Sequence, residues 1–426
     1  MTIAVFLFSL LGAMALGIPI AFALLVCGAA LMWHLGLFDA QILAQNVING
    51  ADSYPLLAVP FFLLAGEVMN AGGLSRRIVE LALAIVGHIK GGLGYVTILA
   101  ACLLAALSGS AVADAAALGS ILIPAMRSRG YSKEFAASVI SSSATLAVII
   151  PPSIPMLLYA VIAGTSVVKL FVSGIVPGII GGLGMMGVAY WFARRYNFPV
   201  EQSFRWANVR KTFREALWAF LLPVIILGSI FGGIVTATEG AAIAVLAALF
   251  VGFVVYRELD VEVLRTSIID GGVQTAVVML LVAASALLGV YLTETHLPQQ
   301  LAQGILNFTA NKWAVLAILN VLFLILGFFL HSAAAIILVV PVVMPLVTAV
   351  GIDPVHFGLI VTINLGIGQQ TPPVASVLMT CCAIAKADMW EVTKVNVYFV
   401  AVLLAVLMLV TYVPFVGMGL VDFFYQ

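Results

Sequence analysis

Apolar residues run through this chain in long blocks separated by short polar punctuation. Blocks of this length suit helices that cross a bilayer, at roughly 20 residues per crossing, rather than half-buried strands, which alternate every second residue. The first block covers about residues 3–33 and breaks near Gly17-Ile-Pro19; a polar stretch follows to Ser53, and a second helix covers about Leu56 to Met69. Beyond Gly72-Gly-Leu-Ser-Arg-Arg77 and an amphipathic segment, Ile78 to Ile89, come two apolar pieces, 91–107 and 111–126, joined by Ser108-Gly-Ser110. Both pieces are short for a crossing, and basic residues lie at both outer ends (Lys90, and Arg127 onward). They read as a re-entrant hairpin with its tip at Ser108–Ser110. Crossings are predicted over 134–163, 170–192, 217–233, 238–256 and 271–292, then a second hairpin over 313–348 with its tip near His331-Ser332, then 355–384 and 395–416.

Two of these segments cannot be straight helices. Ser141-Ser-Ser-Ala-Thr-Leu-Ala-Val-Ile-Ile-Pro-Pro-Ser-Ile-Pro155 carries Pro151, Pro152 and Pro155, and each proline removes a backbone N–H and clashes with the preceding turn. Asn364-Leu-Gly-Ile-Gly-Gln-Gln-Thr-Pro-Pro373 repeats the device. Backbone broken at membrane depth is tolerated only where protein buries it or where it lines a cavity. The two Pro-Pro pairs lie 221 residues apart; at that offset Pro124 falls on Pro345, Gly130 on Gly351 and Ser110 on His331. The chain therefore reads as an internal repeat, and paired broken segments in two halves point to a transporter binding site. Leu74-Ser-Arg-Arg-Ile78 and Leu297-Pro-Gln-Gln-Leu301 match as well, arginines in one and glutamines in the other, which suits halves of inverted topology.

Composition and charge sharpen this picture. The 426 residues are 64% hydrophobic and 8% charged, against about 25% charged in a soluble domain. The fold class is an all-α polytopic membrane protein. A net charge of zero gives no sign of a nucleic-acid partner. Following the path above, sixteen of the eighteen Lys and Arg fall on one face, all but Lys169 and Lys312, as the positive-inside rule asks. The path places the N-terminus in the cytoplasm and the C-terminus outside. Met1 to Ala30 lacks a basic start and a cleavage site, so it reads as a first membrane helix. The four cysteines sit in apolar segments without metal spacing, and the adjacent pair Cys381-Cys382 reads as small buried hydrophobes.

Polar residues collect at the tips and breaks: Ser108, Ser110, Ser141, Ser142, Ser143, Thr145 and Ser153 in the first half, and Asn364, Gln369, Gln370 and Thr371 in the second, where Gly366 and Gly368 allow close backbone approach. Hydroxyls and freed carbonyls are hard ligands for a small cation, while half-helix N-termini favour an anion; the alternative is that such residues only pack and bond neighbouring helices. His331 is either a relay or a hydrogen-bonded tip residue. Asp114, one turn past the first tip, is either functional or a helix cap. Glu239, after Thr236-Ala-Thr238, suits a helix N-terminus, and Glu67 is open. No nucleotide loop, zinc motif or nucleophile–base pair appears, so neither an enzyme nor a cofactor is expected. A channel with re-entrant filters competes with the transporter reading, as does, within transport, a stand-alone ion or carboxylate transporter that needs no partner.

With these motifs placed, the chain resembles the large membrane (permease) subunit of tripartite ATP-independent periplasmic (TRAP) transporters over essentially its whole length. The resemblance rests on Ser108-Gly-Ser-Ala-Val-Ala-Asp-Ala-Ala-Ala117, Ile123-Pro-Ala-Met126, Ile150-Pro-Pro-Ser-Ile-Pro155, Gly351-Ile-Asp-Pro-Val-His-Phe-Gly358 and Thr371-Pro-Pro373. Gly50-Ala-Asp-Ser53 and Gly66-Glu-Val-Met-Asn-Ala-Gly-Gly73 look like members serving sialic acid or other sugar acids. The resemblance implies a bacterial inner-membrane importer of an organic acid, with a small four-helix membrane subunit and a periplasmic binding protein as partners and sodium as the coupling ion. It implies an elevator-type fold, with a transport domain (90–195 and 312–426) sliding past a scaffold (1–89 and 196–311). It also places sodium around Ser108, Gly109, Ser110, Ser143, Thr145, His331, Ser332, Asn364, Gly366, Gln370 and Thr371. Substrate is expected near Asp114, Ser141, Ser142, Pro151, Pro152, Ser153, Gln369, Pro372 and Pro373. The chain departs from the family at His331, where members often carry an acid, and at Ala147-Val148, Ala237 and Ala375.

Overall fold

The computed structural model describes residues 2–425; Met1 and Gln426, the outer limits of the expected first and last domains, lie outside it. Among the described residues every regular element is helical, and nine helices are long and apolar enough to cross a membrane. The chain is a polytopic helical membrane protein.

The first block is not one bent helix. Helices α1 (Thr2–Ala15) and α2 (Ile20–His34) are separated by a turn in which Gly17 takes φ +79°. Pro19, locked near φ −55°, starts α2. The chain folds back there, and the Cys27 thiol donates to the Phe6 carbonyl at 3.5 Å. Neither helix contains Lys, Arg, Asp or Glu, so nothing opposes the meeting of their apolar faces. The polar stretch that follows is also helical rather than loop. Asp39 starts α3 (Ala40–Ala51) by accepting from the Gln41 and Ile42 N–H groups at 2.7 and 3.2 Å.

A 3-10 turn at Tyr54–Leu57 leads into α4 (Ala58–Ala71), and the amphipathic α5 (Leu74–Val86) precedes the first hairpin, α6 (Gly92–Ser108) and α7 (Ala111–Ser128). The first broken helix is α8 (Lys133–Ala144), a 3-10 turn at Thr145–Val148, and α9 (Ile154–Ile162); α10 (Val167–Arg195) closes this half. Next, α11 (Trp206–Phe231) begins before the expected 217. No glycine or proline interrupts residues 206–222, so Arg210, Lys211 and Arg214 belong to its first turns and the basic loop shrinks to 196–205. Then come α12 (Ala237–Phe250), α13 (Val261–Glu294), also longer than expected, and α14 (Leu297–Phe308). The second hairpin is α15 (Lys312–Phe329) and α16 (Ser332–Ala349), and the second broken helix is α17 (Pro354–Gly368) and α18 (Ser376–Ala385). The chain ends with α19 (Met389–Tyr412) and a short α20 (Phe415–Tyr425) that the sequence reading did not separate.

The repeat survives in the elements: α7 and α16 both start and end at the offset of 221, and α8 and α17 start at it. Two sets of helices pack closely within themselves and also touch each other, through α5 on α6, α14 on α16, and α4 and α13 on the hairpins. In one, α19 lies along α8, α18 packs on α7 and α8, α16 on α9, and α10 on α17 and α20. Hydrogen bonds between the halves fasten it: Ser138 Oγ to the Val392 carbonyl at 3.0 Å, and Tyr159 OH to the Pro354 carbonyl at 2.8 Å. In the other, α12 and α13 pack on α4, α13 on α2 and α3, and α11 on α5. The 196–205 loop joining the groups is strapped down. Its Glu201 N–H donates to Gly87 at 3.1 Å, Gln202 Nε2 donates to Leu83 at 2.7 Å, and the Tyr131 hydroxyl donates to Glu201 Oε1 at 3.1 Å. Burial first, and then the Glu201 carboxylate, push the Tyr131 phenol up, so it stays protonated and keeps donating.

Candidate functional site

Each hairpin tip docks on the broken helix of its own half. At the first tip Gly109 takes φ +61°, and its carbonyl accepts from the Ile154 N–H at 3.4 Å. A Cβ there would stand 2.4 Å from the Pro152 carbonyl oxygen, so glycine is required. Ser110 caps α7 by accepting from the Ala113 N–H at 3.4 Å, and Ser153 caps α9 by accepting from the Met156 N–H at 3.4 Å. At the second tip His331 caps α16, its Nδ1 accepting from the Ala333 N–H at 3.4 Å. The Val374 N–H reaches back to the Phe328 carbonyl at 3.2 Å, and Gln369 Nε2 donates to Ser332 Oγ. The two breaks then meet: a Cβ on Gly366 would stand 3.0 Å from Thr145 Cγ2. Prolines at both breaks stop the helices inside the protein. This leaves four helix N-termini (α7, α9, α16 and α18) around one cavity of about 720 Å³. Gly109, Ser110, Ile154, His331, Gln369 and Ser376 form one wall; Pro19 to Phe22, Leu63 and α13 from Val273 to Leu281 form the other.

The expected residues divide. Gly109, Ser110, His331 and Gln369 line the cavity. Of the set expected at the substrate, Gln369 alone does so; Pro151, Pro152, Ser153, Pro372 and Pro373 build the breaks behind the wall. Asp114 does not cap α7, since Ser110 does. It accepts from Ser108 Oγ at 2.5 Å and turns toward Glu67, Asn70 and Ser75 around a void of about 10 Å³. Ser141, Ser142, Ser143 and Thr145 are buried in and after α8. Ser143 donates to the Val139 carbonyl at 2.6 Å and Thr145 to Ser141 at 3.0 Å, and Thr371 likewise turns back on Ile367 at 2.9 Å. Glu239 forms a capping box with Thr236, the structural role its position suggested.

Three buried residues that the sequence reading passed over tie the site together. Ser142 donates to Asn396 Oδ1 at 2.7 Å, and Asn396 Nδ2 donates to the Gln370 carbonyl at 3.2 Å. Asn364 Nδ2 donates to Asn320 Oδ1 at 2.7 Å, and Asn320 Nδ2 donates to Thr411 Oγ1 at 3.1 Å. A lone amide in an apolar helix is the signal that marks Asn320 and Asn396. Around the Thr145–Gly366 contact several buried atoms have no protein partner: Ser141 Oγ, Asn364 Oδ1 and both polar atoms of Gln370. Buried polar atoms are almost always bonded, so these have capacity left for a water or an ion. Neutral oxygens suit a hard, singly charged cation; calcium recruits several carboxylates. Among the described residues no group of three His, Cys, Asp or Glu gathers in a way that could hold a metal ion.

The model of one family, described as tripartite ATP-independent periplasmic transporter, DctM component, matches residues 7–416. The chain is 43% identical to the 2,3-diketo-L-gulonate TRAP transporter large permease of Escherichia coli, with 97% of each chain covered. It is 37% identical to the C4-dicarboxylate TRAP transporter large permease of Vibrio cholerae, covering 98% of this chain and 97% of the other. In fold it is similar to the YdaH transporter of Alcanivorax borkumensis, at a TM-score of 0.62 and 15% identity over 90% of each chain.

Proposed function

From the premise that this chain belongs to the DctM-component family of tripartite ATP-independent periplasmic transporters, we propose that it uses a sodium gradient to carry an organic acid anion inward across the bacterial inner membrane. The family consists of large permeases for secondary transport of organic acids, which is not an enzyme class, working with a small membrane subunit and a periplasmic binding protein. One relative is named for diketogulonate and another for C4-dicarboxylates, so the cargo class carried over to this chain is an organic acid anion.

One observation carries the reading: both tips and both breaks converge on a single cavity with unpartnered neutral oxygens behind its wall. Helix N-termini hold partial positive charge and free N–H groups, which suit a carboxylate. Sodium held by oxygens at the breaks adds positive charge beside that carboxylate, so each favours the other's binding, and that mutual preference is what coupling requires. The hairpin-bearing group (90–195 with 312–426) is the mobile transport domain, and the other group is the scaffold. In proteoliposomes holding the chain with its small subunit and binding protein, an inward sodium gradient at symmetric pH drives accumulation, and a pH gradient without sodium does not. If the pH gradient alone suffices and His331→Ala abolishes it, sodium is the wrong ion.

A further inference from the structure

The cavity wall opposite the helix N-termini is apolar except at Gln274 on α13. That amide cannot turn freely, because its Nε2 donates to Glu67 Oε1 at 2.7 Å. The bond sets the NH2 toward Glu67 and leaves Oε1 as the free end. Among the described residues no protein group donates to Oε1. Behind this pair lies a second cavity of about 440 Å³, lined by Glu67, Asp270, Ser75 and Thr266 among others. Gln274 thus stands between an apolar chamber and an acidic one.

We propose that Gln274, held by Glu67, is a specificity-determining residue that selects a monoanion with an uncharged, hydroxyl-bearing tail and disfavours a second carboxylate. The inference rests on the anion-carrier reading above and narrows its cargo. A carboxylate head set at the helix N-termini directs the rest of the molecule toward α13. There it meets Val273, Val277, Leu281 and one acceptor oxygen; no Lys or Arg lines the cavity. A hydroxyl donates to that oxygen. A second carboxylate faces an acceptor backed by Glu67 and Asp270, and a desolvated charge without a partner is strongly penalised. His331 offers no remedy at that end, because it sits on the opposite wall, at the start of α16. Glu67 is a positioning residue: it touches Gln274, not the cargo.

The test uses the full chain purified with its small subunit in sodium, and reads apparent affinity from the melting-temperature rise with gluconate, hexanoate or succinate. Gluconate binds about tenfold tighter than hexanoate, which lacks the hydroxyls, and than succinate, which adds a carboxylate. Gln274→Leu removes the lead of gluconate over hexanoate, and Gln274→Lys lets succinate draw level. Glu67→Gln, which keeps the side chain at 274 but frees its amide to turn, narrows both ratios. That change in ratio separates positioning from a general loss of stability. Succinate equalling gluconate in the unaltered chain, or ratios unmoved by Gln274→Leu and Glu67→Gln alike, overturns the assignment and leaves the carrier reading intact. A response to none of the three acids overturns the assignment; the carrier reading falls separately, if sodium-driven uptake fails in proteoliposomes that also hold the binding protein.

Discussion

Asn396 shows how single side chains act in this protein. From Val395 to Val410 the helix is otherwise apolar apart from Tyr398, so Asn396 looks in sequence like an isolated interruption. Folded, its amide accepts from Ser142 on the first broken helix and donates to Gln370 at the second break. Asn396→Leu leaves the Ser142 hydroxyl and the Gln370 carbonyl buried and unmatched, a loss of about 1–3 kcal/mol. We expect a lower melting temperature of the purified protein and reduced uptake; an unchanged melting curve rules out this clamp. The prolines and glycines of the breaks were legible because their constraints are local. Asn320, Asn396, Thr411 and Gln274 were not, because one amide forms no pattern until a distant helix brings its partner.

The hairpins and broken helices are legible at the scale of elements for the same local reason, and they dock through bare backbone. A Cβ on Gly368 would stand 2.4 Å from the Gly327 backbone, where no flexible side chain can give way. Gly368→Ala therefore lifts the second hairpin off its break. Overpacking of this kind costs about 1–3 kcal/mol, and uptake should fall further than stability because the cavity wall moves. Uptake at the normal rate argues against this docking. The first block was read as one crossing with a break near Gly17-Ile-Pro19, and the structure divides it there into two helices that pack on each other. The positive-inside rule works from Lys and Arg, and the first of these is Arg76. Because α2 folds back on α1, the chain start returns to the face where α2 ends. We therefore propose a periplasmic N-terminus in place of the cytoplasmic one expected. The C-terminus is proposed to share that face, since the Tyr425 hydroxyl donates at 2.8 Å to Phe231, at the end of α11 opposite its basic start. Epitope tags at both ends should be reached by antibody on intact spheroplasts, while a cysteine at Ser203 should react only after permeabilisation. An N-terminal tag hidden until permeabilisation returns the first block to a single crossing.

Over the whole molecule, the proposed transport domain and scaffold would move past each other, and a crosslink between them tests this directly. Gly66 lies on α4 of the proposed scaffold and Ser108 at the first tip; a Cβ on Gly66 would be 3.5 Å from Ser108 Cβ, within disulfide reach. Oxidising the Gly66→Cys, Ser108→Cys pair should abolish uptake, and reduction should restore it to the level of Ser108→Cys alone. The pair Gly184→Cys, Val402→Cys, at 3.8 Å between Cβ positions on α10 and α19, lies inside one body and should leave uptake intact when oxidised. Uptake that survives the first crosslink excludes sliding of these surfaces. By itself the sequence determined the membrane class, the repeat, both hairpins and both breaks, because hydrophobic length, proline and glycine act on their own neighbourhood. The family followed from motifs at those places. Only the tertiary structure decided that α1 and α2 fold back on each other, that Asp114 turns away from the cavity toward Glu67, and that Gln274 faces the four helix N-termini. Those facts depend on which apolar surfaces meet, and apolar burial is non-directional, so no single stretch of sequence specifies them.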